Sequence, residues 1–168
     1  MPRTLHYEID LDSGVIVSEV YRLDGELHRD PMEGPAYLCR VKDRSGTYFI
    51  YQERYYWHGK LHRENGPAKI EYGNGHPGPM TDEIYYRHGL LHRDPKIGPA
   101  HVERLNEAII ITERYYFYGK LWRNPADGPC EIVRYDDGSV EYEEFSESRA
   151  GPSRGRVQRK KSGLPPAP

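Results

Sequence analysis

Glutamate, tyrosine and histidine recur in this 168-residue chain at fixed offsets, and together they are the residue types of a general acid–base or a metal site. The offsets count from a glycine at Gly25, Gly59, Gly89 and Gly119. A tyrosine stands four residues before it (Tyr21, Tyr55, Tyr85, Tyr115) and a glutamate six before (Glu19, Glu53, Glu83, Glu113). Three residues after it stands His28, His62 or His92, with Trp122 in the fourth copy. In a two-residue hairpin the position four before faces the position three after, so each Tyr meets a His or Trp, with the Glu on the same face. A catalytic centre is needed once, in one pocket, whereas this cluster is written three times over. The repetition favours a structural ladder that stitches neighbouring hairpins, and Trp122, which can stack but cannot ligate a metal, agrees. An anion or partner contact and a metal or catalytic site are the alternatives. No Walker, GxSxG, HExxH or CxxC pattern occurs. The chain is read as a non-enzyme, with no cofactor and no metal.

The arginines that close each phrase, Arg29, Arg63, Arg93 and Arg123, could bind a polyanion or a carboxylate-rich partner if they were exposed along one stripe. Their other reading is a cap on loop carbonyls or a pair with a glutamate of the next strand. Trp57, Arg87, His88 and Tyr118 sit where the copies disagree and are candidate partner contacts. His76, in the irregular stretch Gly73-Asn74-Gly75-His76-Pro77, is another.

The elements that must position these residues are strands. Each copy reads Gly-x-Leu-His-Arg (Trp in the fourth), then a polar loop, then Gly-Pro at Gly34-Pro35, Gly66-Pro67, Gly98-Pro99 and Gly128-Pro129. The spacings between turn glycines are 34, 30 and 30 residues, a period that signals a repeat architecture. Asp24-Gly25, His58-Gly59, His88-Gly89 and Tyr118-Gly119 occupy a two-residue turn of the kind that needs positive φ at both positions. After each Gly-Pro comes strict alternation, with Ala36/Leu38, Ala68/Ile70, Ala100/Val102 and Cys130/Ile132 on one face, the pattern of a half-buried strand. No segment carries a 3.6-residue apolar period. The expectation is an all-β repetitive antiparallel meander, one elongated sheet over residues 1–145, opening with an N-terminal half-unit and followed by four full units.

Composition agrees. Apolar residues make up 36% of the chain, against a usual ~45–50% that also counts Gly, so the core is thin. Fifteen tyrosines suit half-buried strand faces, where the ring packs and the hydroxyl stays wet. Cys39 and Cys130 are expected as reduced thiols, and with no secretory leader or apolar span in view the expected location is cytoplasmic.

The wording Tyr-Tyr-x-x-Gly-Lys-Leu-His-Arg…Gly-Pro-Ala resembles the MORN-like repeats of bacterial and phage proteins, including the YwqK-type antitoxin-component repeat. The resemblance covers about residues 5–145 and departs at Trp122 and Cys130. It implies an elongated β-meander scaffold with antitoxin or interaction roles and no catalytic motif.

Residues 146–168 form a separate tail, rich in Ser, Gly, Pro and Arg and expected to be disordered. It carries a net charge of +5 against −7 for the body, and an acidic body is a poor nucleic-acid surface. Arg154, Arg156, Arg159, Lys160 and Lys161 could contact a polyanion, whether nucleic acid or an acidic membrane. The spacing also resembles the export signals of some type IV secreted effectors, which would allow translocation through a secretion system. The expected function is a non-enzymatic scaffold for an unidentified protein partner, of antitoxin or immunity type. The alternative is a secreted or nucleic-acid- or membrane-associated protein that acts through its tail. Open sheet edges also leave room for self-association.

Overall fold

The computed structural model describes residues 3–73, 81–105, 110–135, 137–146 and 158–161, and every described element is a β-strand. The chain forms two compact units, Met1–Leu90 and Leu91–Pro168. The first contains β1 (Arg3–Ile9), β2 (Ile16–Leu23), β3 (Glu26–Leu27), β4 (Tyr37–Lys42), β5 (Tyr48–Arg54), β6 (Tyr56–Trp57), β7 (Lys60–Leu61), β8 (Lys69–Tyr72), β9 (Thr81–Ile84) and β10 (Tyr86–Arg87). The short strand β11 (Leu90–Leu91) leads into the second, which contains β12 (His101–Leu105), β13 (Ile110–Arg114), β14 (Tyr116–Phe117), β15 (Lys120–Leu121), β16 (Glu131–Arg134), β17 (Val140–Phe145) and β18 (Gln158–Lys161).

Each unit is an antiparallel meander. In the first, the long strands run in the order β1-β2-β4-β5-β8-β9, and in the second β12-β13-β16-β17-β18. The short strands pair as hairpin arms, β2 with β3, β6 with β7 and β14 with β15. Their turns are left-handed at both central residues: φ is 52° and 85° at Asp24-Gly25, 45° and 70° at His58-Gly59, and 47° and 79° at Tyr118-Gly119. This is the backbone twist that matches right-twisted strands.

The strand after each Gly-Pro supplies the core. Ala36 and Ala68 are fully buried in the first unit, with Tyr55 and Ile84 beside them. Ala100, Val102, Tyr115, Cys130 and Ile132 fill the second. Both cysteines are free thiols, and burial pushes the Cys130 thiol up from its ordinary value. Glutamates alternate with these aliphatics across the sheet: Leu38 and Ile70 flank Glu53, and Val102 and Ile132 flank Glu113. Carboxylates half-buried in mid-sheet need polar company, which the Tyr55 hydroxyl gives Glu53 and Arg134 gives Glu113. Of the tail, Ser146 and β18 are described, and β18 pairs with β17 so that Lys160 stands in register with Glu143 and Arg159 with Glu144. Arg154 and Arg156 lie outside the described residues.

The arginines hold the frame. Arg29 lies 3.9 Å over the Tyr21 ring, Arg63 3.8 Å over Tyr55 and Arg123 4.0 Å over Tyr115. Each donates from Nη1 to the proline carbonyl of its own Gly-Pro: Pro35 at 3.2 Å, Pro67 at 3.3 Å, Pro129 at 3.4 Å, and, for Arg93, Pro99 at 3.2 Å. The glycine before that proline lies against the guanidinium. A Cβ on Gly66 would stand 3.2 Å from Arg63 Cζ, and one on Gly128 2.9 Å from Arg123 Nη1. Tyr, Arg, Gly and Pro recur together because they form one clamp, a cation between a ring and a bare backbone.

Gly66 also sits at φ 141°, where side chains rarely fit. Gly66→Ala is expected to lower stability by about 1–3 kcal/mol, read as a lower thermal midpoint, with β-sheet circular dichroism retained below it. Asn65→Ala, next to it but outside the clamp, should leave the midpoint near that of the native chain.

Candidate partner-binding surface

The histidine of each phrase does not share the tyrosine's surroundings. The hairpin register does place Tyr21 opposite His28, since the His28 amide donates to the Tyr21 carbonyl at 3.1 Å, and His62 does the same to Tyr55 at 3.0 Å. The tyrosine hydroxyl donates to the glutamate, Tyr21 to Glu19 at 3.1 Å and Tyr55 to Glu53 at 2.9 Å. Burial, then the neighbouring Glu53 carboxylate, pushes the Tyr55 hydroxyl up to about 12, so it stays a donor. The tyrosine ring, however, faces arginine. The imidazole turns towards the next hairpin, because the paired arm stops at Leu27 or Leu61 and the histidine lies beyond the pleat. The expected convergence of Glu, Tyr and His on one face is therefore corrected to two separate sets of contacts.

There the imidazole meets a turn. The His58 amide donates to His28 Nδ1 at 3.1 Å, His88 to His62 Nδ1 at 3.2 Å and, in the second unit, Tyr118 to His92 Nδ1 at 3.2 Å. The rings stack as well: His62 on His88 with centroids 4.2 Å apart and planes 11° apart, and His92 on Tyr118 at 4.1 Å and 17°. His28 packs less squarely, at 4.5 Å from both Trp57 and His58. The flanking residues of the phrase complete the link. The Leu27 and Leu61 carbonyls accept from the Gly59 and Gly89 amides at 2.9 and 2.8 Å, and the Arg29 amide donates to the Tyr56 carbonyl at 3.2 Å. Trp122 stands in the last copy, where no further turn amide needs an acceptor among the described residues. It packs near Phe117 at 5.8 Å, and its Nε1 has no partner among the described residues.

With the phrase committed to the frame, the other candidate residues the structure describes stand at the hairpin tips. Trp57, Arg87, His88 and Tyr118 are all exposed. His76 lies outside the described residues. In the first unit the tips border a groove of about 480 Å³, lined by Pro31, Met32, Trp57, His62, Arg63, Glu64 and His88 among others. Met32 is 87% exposed, and Arg87 reaches the groove's Glu64 at 3.4 Å. Met32 was not legible as a site residue, because its loop varies in length and composition between copies. The only signal was an apolar residue standing in an otherwise polar loop. The four arginines, expected as partner contacts, are half-buried in their clamps and offer a partner little beyond their edges. No group of three or more His, Cys, Asp or Glu is placed to hold a metal among the described residues. No family model matches the chain, and no curated protein or solved structure is significantly similar to it.

The histidine link is pH-sensitive in a defined direction. Burial, then the adjacent His88, holds His62 below the ordinary imidazole range, and burial, then His58, does the same to His28. Glu64, 3.9 Å from His62 Nε2, opposes the shift without reversing it. The unfolded chain then binds protons that the folded chain does not, so stability is complete above the ordinary value of about 6.5 and falls as pH drops through the depressed folded-state value. Thermal melts from pH 8 down to 5 should show a flat midpoint that declines below about 6.5. In a second test His62→Ala should cost about 2 kcal/mol, the price of an unaccepted turn amide and a lost stack, and should flatten part of that decline.

Proposed function

We propose that the protein is a non-enzymatic repeat scaffold that binds another protein through its hairpin tips, of the antitoxin or immunity kind that its repeat wording resembles. The observation that carries this reading is the division of labour among the repeated residues. Leu, His, Arg, Gly and Pro of the phrase are used up in holding hairpins together, which leaves Met32 and Arg87 outside the frame and one exposed side of Trp57 and His88, whose rings pack on the linking histidines, beside one groove. Trp, Tyr, Met and Arg are the residue types that concentrate binding energy at protein interfaces. A partner that fills the groove would bury Met32 and Trp57, and its acidic groups would compete with Glu64 for Arg87. Affinity of this kind comes from a few anchors set on a rigid frame, so small differences between tips decide the partner.

The tail supplies the second reading. Its basic residues Arg159, Lys160 and Lys161 lie on β18, in backbone register with Glu144, Glu143 and Tyr142 of β17.

The two readings separate in one affinity-capture experiment from the native host with quantitative mass spectrometry. Met32→Ala combined with Arg87→Ala, which spares the Trp57 ring packed on His28, should lose the captured partner at least tenfold, about 1.4 kcal/mol or more, with an unchanged thermal midpoint. Neutralising Arg154, Arg156, Arg159, Lys160 and Lys161 to Gln should leave capture intact. The opposite pattern would assign binding to the tail.

A further inference from the structure

The outer strand β1 leaves one backbone edge open. It begins the strand order of the first unit, and among the described residues no strand pairs with its outer edge. Its backbone polarity can be worked out from its neighbour. The Tyr21 amide donates to the Ala36 carbonyl, and the Tyr21 carbonyl accepts from His28, so Tyr21 directs its hydrogen bonds away from β1. Alternation along β2 then turns Ser18, Val20 and Arg22 towards β1. Their register partners are Glu8, His6 and Thr4, which are therefore satisfied inward. Arg3, Leu5, Tyr7 and Ile9 are left with amides and carbonyls directed outward. A row of such groups is a template for another strand.

Edges of this kind are commonly blunted by proline, by lysine or by a bulge that twists the strand away. Between Arg3 and Glu8 there is none: the sequence is Arg-Thr-Leu-His-Tyr-Glu, and the only register shift lies at its end, between Glu8 and Ile9. The strand is exposed along its whole length. Leu5, Tyr7 and Ile9 share the face of their register partners Tyr21 and Glu19, at 48%, 55% and 42% exposure. Three large apolar residues in a row, uncovered beside an open backbone edge, form a surface that water covers poorly.

We propose that two chains associate through β1, antiparallel, about a two-fold axis at Tyr7. The sequence is self-complementary in that register. Tyr7 faces the Tyr7 of the second copy and Leu5 faces its Ile9. Both are hydrogen-bonded pairs, because these residues carry the outward amides. His6 faces Glu8 in both directions, and this is the non-hydrogen-bonded pair, where side chains come closest. One face of the joined strands is thus apolar, and the other sets an N–H donor against a carboxylate twice. A two-fold axis at His6 instead would set imidazole against imidazole. The contact is isologous and closes on itself, so it yields a dimer and not a fibre.

Sedimentation velocity on the full chain over a dilution series tests this. The native protein should sediment as a concentration-dependent dimer. Tyr7→Pro removes an outward amide but no bond to β2, and should give a monomer with unchanged circular dichroism. The charge series tests the register even if the proline variant fails to fold. His6→Glu places glutamate against Glu8 twice and should raise the dimer dissociation constant about tenfold or more, and adding Glu8→Lys should restore it. A native chain that stays monomeric throughout overturns the proposal. So does a folded Tyr7→Pro dimer, or a His6→Glu variant with unchanged association.

Discussion

A left-handed turn residue needs an acceptor for its amide, and in this protein the acceptor is a histidine of the preceding hairpin. His58, His88 and Tyr118 occupy turn positions with φ of 45–51°, a conformation that costs a non-glycine residue roughly 1–2 kcal/mol. Their amides are met by His28, His62 and His92 through Nδ1, and their rings lie on those same imidazoles. One side chain thus compensates the turn's strain, satisfies its backbone and joins it to its neighbour. The leucine carbonyl before the histidine and the arginine amide after it complete a three-residue strip of bonds between consecutive hairpins. The arginine then passes to the other side, between a tyrosine ring and a glycine, and secures the Gly-Pro that starts the next strand.

Much of this was legible in the sequence, and the reason is periodicity. The type I′ turns follow from Asp24-Gly25 and its equivalents, because few residue pairs tolerate two positive φ angles. The half-buried strands follow from Ala36/Leu38 and Ala68/Ile70, because alternation of period two has one physical meaning on a pleated surface. The pairing of Tyr21 with His28 also followed from turn length. What the sequence did not reveal was where those side chains go once the arm ends at Leu27. Register fixes the backbone partner, but the same-face rule holds only while the pleat continues, and His28 lies past it. The tyrosine therefore keeps its glutamate and gains an arginine, while the histidine serves the next turn. Trp122 becomes intelligible by the same reasoning. An acceptor is dispensable where no turn amide follows among the described residues, and an aromatic ring that packs near Phe117 takes the place.

The same division explains why the surface was harder to read than the frame. Residues that repeat announce themselves by repeating. Met32, Trp57 and Arg87 do not repeat, and what brings them together is exposure and one groove, which Met32 and Trp57 line and whose Glu64 Arg87 reaches, neither of which has a sequence period. The polar loops differ in length because nothing in the clamp depends on them beyond their two ends, the arginine and the Gly-Pro. They are thus the part of the unit that can change without loosening the hairpins, and the tips beside them change with them. A frame made this way tolerates changes in its loops at little cost to stability.

The link between hairpins depends on the tautomer of its histidine. If His62 Nδ1 accepts the His88 amide, the neutral ring carries its proton on Nε2, and the N–H···N bond transmits a nitrogen–nitrogen scalar coupling. In uniformly ¹⁵N-labelled protein at pH 7.5, the account predicts an Nε2–H tautomer for His62 and a cross-peak joining its Nδ1 to the His88 amide nitrogen. A His62 ring protonated on Nδ1, with a His88 amide that exchanges as fast as an open turn, would contradict it.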